Sequence, residues 1–293
     1  VFPRAKYKDA DQSWQEIKDP SATVKFDGAH FLIPVASDGS LSFFSRRPSV
    51  KGGFPDRTLQ LPHLTDKKYP ELAGQVFASE LIHTGFNKGS IESHRNVSGI
   101  LNSLPDRSIA TQHRTGPVRA VLLDVINPEI GTYAEKIKHL KKAESIIGKP
   151  DLIYAVTPVV GHAAIHDLIR STKAQGREGV IITSLNTPEH LNTRLKVKHK
   201  ILHNLKVVKV LQEFDIHGEP KPSMGALEVA DASGRVVARV GTGFSRLQRI
   251  DAWEHPENWI GKEIQVESMG LAKDMLRAPV YNGDSDGDLD FVT

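Results

Sequence analysis

Residues 22–28 read ATVKFDG, and the fold turns on how the last four of them, Lys25-Phe26-Asp27-Gly28, are read. β-Branched residues run up to a lysine, and Asp-Gly then supplies a turn, so the segment predicts a strand that ends at Lys25. A lone K-x-D-G has a plain explanation, a lysine leaving a strand into a turn. A chemical role needs company. A lysine acts as a nucleophile only when its amine is deprotonated, which burial or nearby cations favour. The partners to seek are further lysines and carboxylates able to hold a metal. They follow in order: Ser45-Arg46, Glu80 in VFASELIH, Asp124 in AVLLDVI, Glu178 in REGVII, and Lys196 and Lys198 in RLKVKHK. Strand alternation puts the last two lysines on one face, where they repel unless an anion lies between them. A triphosphate would be that anion, and also the electrophile for Lys25.

Around these residues ATVKFDG, HFLIPVA and LSFFS predict short strands, with Ser37-Asp38-Gly39-Ser40 as a hairpin turn. Residues 48–63, rich in Pro and Gly, predict a loop, and GQVFASELIH another strand. SIESHRNVSGILNSL predicts a helix capped by Ser90, with Ile91, Val97, Ile100, Leu101 and Leu104 mostly on one face. PVRAVLLDVI predicts a buried strand. TYAEKIKHLKKAESII predicts an amphipathic helix with Thr132 and Glu135 as its capping box, and AAIHDLIRSTKAQG a helix stopping at Gly176. REGVIITSL and TRLKVKHK predict strands. From residue 204 the pattern changes to NLKVVKVLQEF, GALEVAD, VVARVGTGF and EIQVESMG, short strands between turns, as in a small all-β barrel. The expected boundary lies near residue 202, dividing an α+β domain, 1–202, from a β domain, 203–293. VGTGFS lacks the third glycine and following helix of a dinucleotide loop, so it reads as a strand end and turn.

The chain has 293 residues, 39% hydrophobic and 25% charged, an ordinary globular balance. With no cysteine, it has no disulfides, cysteine-zinc fingers, iron–sulfur sites or thiol nucleophiles. No apolar run reaches the ~20 residues of a membrane-spanning helix, so no membrane partner is expected. The formal charge of +3 averages two unlike stretches. Residues 194–209 contain Arg194, Lys196, Lys198, Lys200, Lys206 and Lys209 and no acid, which suits nucleic-acid phosphates. Asp284, Asp286, Asp288 and Asp290 read as a solvated acidic tail; set aside, they leave +7. His83, His113, His139 and His162 share no metal-ligand spacing and read as solvated or hydrogen-bonded surface histidines.

Taken together, the blocks VKFDG, SRR, VFASELIH, RAVLLDVI, EGVII and LKVKHK resemble, in order, motifs I, Ia, III, IIIa, IV and V of the covalent nucleotidyltransferases. The chain looks like a minimal, phage-like ATP-dependent DNA ligase over nearly its whole length. SHRNVSGILNS also looks like a stretch of phage ligases, and GALEVAD, VGTGFS, WIGKEIQVE and LRAPVYNG look like the ligase oligonucleotide-binding (OB) domain. The resemblance implies an adenylation domain of antiparallel sheets and helices, of ATP-grasp-like kind, followed by an OB barrel. It implies that Lys25 attacks the α-phosphate of ATP, expels pyrophosphate and carries AMP, which passes to the 5′-phosphate of a nick before the 3′-hydroxyl seals it. Glu178 would hold Mg²⁺, for which Mn²⁺ can substitute, with Glu80 a second metal ligand that also bonds the ribose. Thr23, Val24, Asp27, Gly28, His30, Arg46, Leu123, Lys196 and Lys198 would complete the nucleotide site. Arg46, Arg47, Lys200, Lys206 and Arg277 would contact nicked duplex DNA, and Lys51, Arg57, Lys67 and Lys68 would add backbone contacts. A monomer in the cytoplasm, the host's for a phage protein, is implied.

Four positions depart from the family pattern. His30 stands where an arginine is usual, Leu123 where an aromatic stacks on adenine, and Thr23 where many relatives have Glu. LRAPVYNGDSDGD lacks the basic end of the last motif. An RNA ligase or mRNA-capping guanylyltransferase, which share the K-x-D-G core, therefore stays open, as does a nucleic-acid-binding protein impaired in catalysis. An NAD-dependent ligase is disfavoured, because only 24 residues precede Lys25 and no cysteine is available for zinc.

Overall fold

Two glycines fix how the strands bearing the key residues meet. Gly179 pairs with Lys25 on one side and Lys198 on the other. Its φ is +147°, and a Cβ there would stand 2.1 Å from the Val197 carbonyl oxygen, so three strands close up only around glycine. Gly28 likewise lies against the next sheet, where a Cβ would be 2.3 Å from the Leu81 carbonyl oxygen. The computed structural model describes residues 6–9, 13–50, 52–83, 94–127, 130–272, 274–285 and 287–292. The chain divides into two compact units, Val1–Lys198 and His199–Thr293.

The first unit runs β1 (Lys6–Asp9), β2 (Pro20–Lys25), β3 (Ala29–Pro34), β4 (Phe44–Ser45), α1 (Pro62–Thr65), β5 (Val76–Ile82), α2 (His94–Leu101), α3 (Pro105–Thr115), β6 (Arg119–Val125), α4 (Tyr133–Ile147), β7 (Ile153–Ala155), β8 (Val159–Val160), α5 (His162–Ala174), β9 (Gly179–Ser184) and β10 (Thr193–Lys198). It holds two five-stranded sheets, β1-β10-β9-β2-β8 and β4-β3-β5-β6-β7. Pairing is antiparallel except for β1 with β10 and β6 with β7. The main core packs the second sheet against α2 and α4, through Phe31, Phe77, Leu81, Val97, Leu101 and Leu140. A smaller core joins the first sheet to α5 through Trp14, Ile165, Val180 and Ile182.

α4 opens with a capping box. The Thr132 hydroxyl accepts from the Glu135 backbone N–H at 3.3 Å, and the Glu135 carboxylate accepts from the Thr132 N–H at 2.8 Å. Thr132→Ala removes one half, and denaturant titration should show a loss of about 1 kcal/mol in the first unit's unfolding free energy. The predicted Ser90 cap lies outside the described residues. α3 was not expected: its buried side chains are Ser108 and Gln112, so it carries no apolar stripe. His83 is buried, not superficial, with its Nε2 against the Thr115 hydroxyl and the Gly116 carbonyl, both at 3.0 Å. Burial pushes its pKa down.

The second unit runs β11 (Ile201–Phe214), β12 (Pro220–Ala230), β13 (Val236–Val240), α6 (Arg246–Glu254), β14 (Glu263–Ser268), β15 (Leu271–Ala272), β16 (Met275–Leu276) and β17 (Val280–Asp284). Five strands form an antiparallel sheet ordered β13-β12-β11-β14-β17, and β15-β16 is a separate hairpin. The sheet is not closed by a ladder. Its edges meet at one bridge, Thr242–Val280, beside the hydrogen bond from the Tyr281 N–H to the Thr242 carbonyl at 2.9 Å. The long β11 makes this curvature possible. Its first half pairs with β14, its second with β12, and a bulge after Val207 bends it between them.

Two expectations for this unit are corrected. A helix does follow VGTGFS: α6 starts at Arg246, capped by Ser245 in a box with Gln248. Only Ala252 of α6 is buried, which left no apolar signal. The acidic tail is not simply solvated. Asp290 accepts from the Asn204 backbone N–H at 2.8 Å, its own N–H donates to the Asn204 carbonyl, and Val292 is buried in the core. Among the described residues no helix is long and apolar enough to cross a membrane.

Candidate functional site

Strand register explains which side chains share a face. Thr23, Ile181 and Lys196 form one row across β2, β9 and β10, and Lys25, Gly179 and Lys198 form the row two residues along. Directly paired residues project to the same face, as do residues two apart. Lys25, Lys196 and Lys198 therefore share one face of the first sheet. Glu178, just before β9, reaches Lys25 with its carboxylate 2.5 Å from Nζ. Both side chains are largely buried, at 20% and 12% exposure, so this ion pair is screened less than a surface one.

The second sheet presents His30 and Glu80, paired directly across β3 and β5, with Nδ1 and carboxylate 3.6 Å apart. Leu123 stands out of the β6 ladder, because Ser79 pairs with Leu122 and Ala78 with Asp124. The bulge turns Leu123 toward the open side of the sheet. Arg46 follows β4, its N–H donating to the His30 carbonyl at 3.3 Å.

These residues converge on one cavity of about 330 Å³ within the first unit. Thr23, Val24, Lys25, His30, Arg46, Glu80, Leu123 and Lys196 all line it. Its volume lies in the range of small-molecule sites. Asp27 and Gly28 form the turn beside it, Lys198 lies in the Lys25 row and Glu178 contacts Lys25, but none of the four is a lining residue. Arg47 is exposed, next to the cavity-lining Arg46. In the second unit Lys200 pairs with Glu267 at 2.8 Å, Lys206 is exposed and Arg277 is half-buried. Lys200 is thus partly neutralised.

Five further lining residues escaped the sequence reading: Phe26, Tyr133, Val156, Ile181 and Arg194. Arg194 is the most informative. It is buried at 4% exposure rather than lying on an open basic face. Its guanidinium lies 2.9 Å from Asp124, 3.1 Å from Glu189 and 5.0 Å from the centre of the Tyr133 ring. Lys136 on α4 completes the cluster at 3.0 Å from Asp124 and 3.1 Å from Glu189. Its contact with Asp124 Oδ1 is an ion pair without hydrogen-bond geometry. Two acids and two bases thus brace β6, α4 and β10 behind the cavity.

The donor set bears on a metal. Among the described residues no three His, Asp or Glu side chains gather as a metal cage. Mg²⁺ does not require one. It keeps several waters and is commonly held by one or two carboxylates plus substrate phosphates. Glu178 beside Lys25 fits that requirement.

Comparison with known proteins places this geometry in a setting. No protein-family model matches the chain, and no curated protein matches it. Solved structures do. A Lig E DNA ligase, from work on DNA binding with a minimal scaffold, superposes with a TM-score of 0.70 at 15% identity, covering 97% of this chain and 100% of that one. Pmar-Lig in its PreS3 form gives 0.69 at 18%, covering 96% and 67%. The ATP-dependent DNA ligase of bacteriophage T7 in complex with ATP gives 0.51 at 16%, covering 96% and 98%. In fold, the chain resembles minimal ATP-dependent DNA ligases.

Proposed function

We propose that this chain is an ATP-dependent DNA ligase that seals nicks in duplex DNA through a lysyl-AMP intermediate on Lys25. The observation that carries the reading is the Lys25–Glu178 contact of 2.5 Å at a cavity that Lys196 also lines. A nucleophilic amine and an anion-binding cation then line one cavity, with an acid paired to the amine beside it. The ligase fold of the whole chain supports it.

The chemistry follows from those groups. Attack needs the Lys25 amine without its ammonium proton, and Lys196 and Lys198, cations on the same face of the sheet, favour that loss. The Nζ lone pair forms a P–N bond to the α-phosphorus of ATP, and the α–β P–O bond breaks to release pyrophosphate. Lys196 and Lys198 neutralise phosphate charge, the main demand of phosphoryl transfer. Glu80 and His30 hold the ribose. Leu123, Ile181 and Val156 offer an apolar slot to the base, with backbone at Thr23 and Val24 for its polar edge. Arg46 takes the 5′-phosphate of the nick, which attacks the adenylated lysine so that the P–N bond breaks and the amine regains a proton. The 3′-hydroxyl then attacks the activated 5′-phosphate and AMP leaves. Glu178, with Glu80 as a further ligand, would hold Mg²⁺, which would supply Lewis-acid neutralisation of phosphate oxygens.

The second unit is assigned as a DNA-binding OB barrel. Its curved sheet and near-meeting edges suit that architecture, and Lys206 and Lys209 project from β11 on exposed positions. With Arg47, Lys200 and Arg277 they would contact phosphates in a sequence-independent way. The functional division is 1–202 for adenylation and 203–293 for DNA binding, in a monomer.

The test offers ATP or GTP with Mg²⁺, then nicked DNA or nicked RNA duplex. ATP labelling and sealing of DNA are expected. Labelling by GTP alone would identify a guanylyltransferase, sealing of RNA alone an RNA ligase, and DNA binding without any adduct an impaired protein. Each overturns the proposal.

A further inference from the structure

Gly28 is held from two sides. The backbone of β5 approaches it so closely that no side chain fits, and Ala29 beside it pairs with Leu81. On the other side stands His94, the first residue of α2, with Nδ1 2.5 Å from the Gly28 carbonyl oxygen. A carbonyl only accepts, so Nδ1 carries the proton and donates it. Nε2 is then free to accept from the Ser98 hydroxyl one helical turn on, at 3.2 Å. That second bond fixes the ring. The helix itself is anchored through Val97, Ile100 and Leu101, all buried in the main core.

This contact falls at a sensitive place. Phe26, Asp27 and Gly28 carry the chain from Lys25, at the end of β2 in one sheet, to β3 in the other. The position of Gly28 therefore governs how Lys25 stands against His30 and Glu80 across the cavity. His94 does not itself line that cavity.

We propose that His94 is a positioning residue for Lys25: its hydrogen bond to the Gly28 carbonyl pins the loop that holds the nucleophile. This rests on the reading of Lys25 as the nucleophile. Misplacing a reacting group by ~1 Å can cost about 10²-fold in rate, so the effect belongs in the chemical step rather than in ATP affinity. Asparagine can place an amide N–H near where Nδ1 lies, whereas glutamine places it nearer Nε2.

The test measures single-turnover formation of the Lys25 adduct against ATP concentration. For His94→Leu the maximal rate should fall by about ten- to a hundredfold, with the half-saturating ATP concentration nearly unchanged. His94→Asn should recover most of that rate and His94→Gln should not. A purely structural role would instead lower the melting temperature and leave the rate of the folded protein intact. A His94→Leu protein with the wild-type maximal rate, a loss confined to ATP affinity, or a glutamine variant as fast as the asparagine one overturns the assignment. Should the leucine variant not fold, the Asn–Gln comparison decides. A wild type that forms no adduct overturns the nucleophile reading and this one together, whereas an active wild type with an equally active His94→Leu overturns only this one.

Discussion

Lys25→Ala is expected to abolish adduct formation while leaving the fold intact. No other group at this position can make the P–N bond, so the loss should be complete rather than graded. Lys25→Arg sharpens the test. The guanidinium keeps a positive charge beside Glu178 but stays protonated and cannot attack. If both variants stay folded and lose the adduct, the lysine acts through its nucleophilicity and not its charge. Arginine keeps a cation beside Glu178 and should keep the stability, whereas alanine leaves a largely buried carboxylate without that partner and should lower the melting temperature without unfolding the protein. An adduct that persists in either variant would place the nucleophile elsewhere.

The second large effect concerns stability. Asp124→Ala removes an acid from a buried cluster in which Lys136 is 6% and Arg194 4% exposed. Glu189 alone would then face two buried cations. Removing one partner of a buried ion pair typically costs about 3–5 kcal/mol, because a charge is left uncompensated. Denaturant titration should show a loss of that size, with the first unit unfolding before the second. Asp124→Asn retains an acceptor for Arg194 and should cost less. A change below about 1 kcal/mol, the scale of an exposed pair, would mean that water reaches the cluster. Since Arg194 also lines the cavity, partial loss of ATP affinity should accompany the instability.

What the sequence disclosed depended on how local the signal was. The Thr132–Glu135 capping box is a four-residue pattern, and the structure has it at α4. β2, β5, β6 and β9 show as apolar runs because each is buried on at least one face. α3 was invisible because it docks through polar side chains. Gln112 donates to the Gln60 carbonyl at 2.7 Å and accepts from the Val118 N–H at 3.0 Å, which no hydrophobic period reports. The helix after VGTGFS was missed for a similar reason.

At the site, the ordered blocks pointed to residues that the fold gathers around one cavity, Lys25, Glu80 and Lys196 among them. Arg194 shows where such reading stops. In sequence it opens an acid-free basic run, but Asp124 on β6 and Glu189, five residues before it, hold it in a buried ion-pair cluster. His94 was equally hidden, since its partner Gly28 is 66 residues away. Asp290, part of an acidic rhythm on paper, is tied to β11 through its carboxylate and its backbone N–H.

The central claim is that Lys25 becomes covalently adenylated. The most direct measurement is the intact mass of the full chain after incubation with ATP and Mg²⁺, followed by peptide mapping of any added group. A gain of one AMP per chain, on Lys25, reversed by excess pyrophosphate, is expected. No gain in mass, or an AMP carried on any other residue, would contradict it.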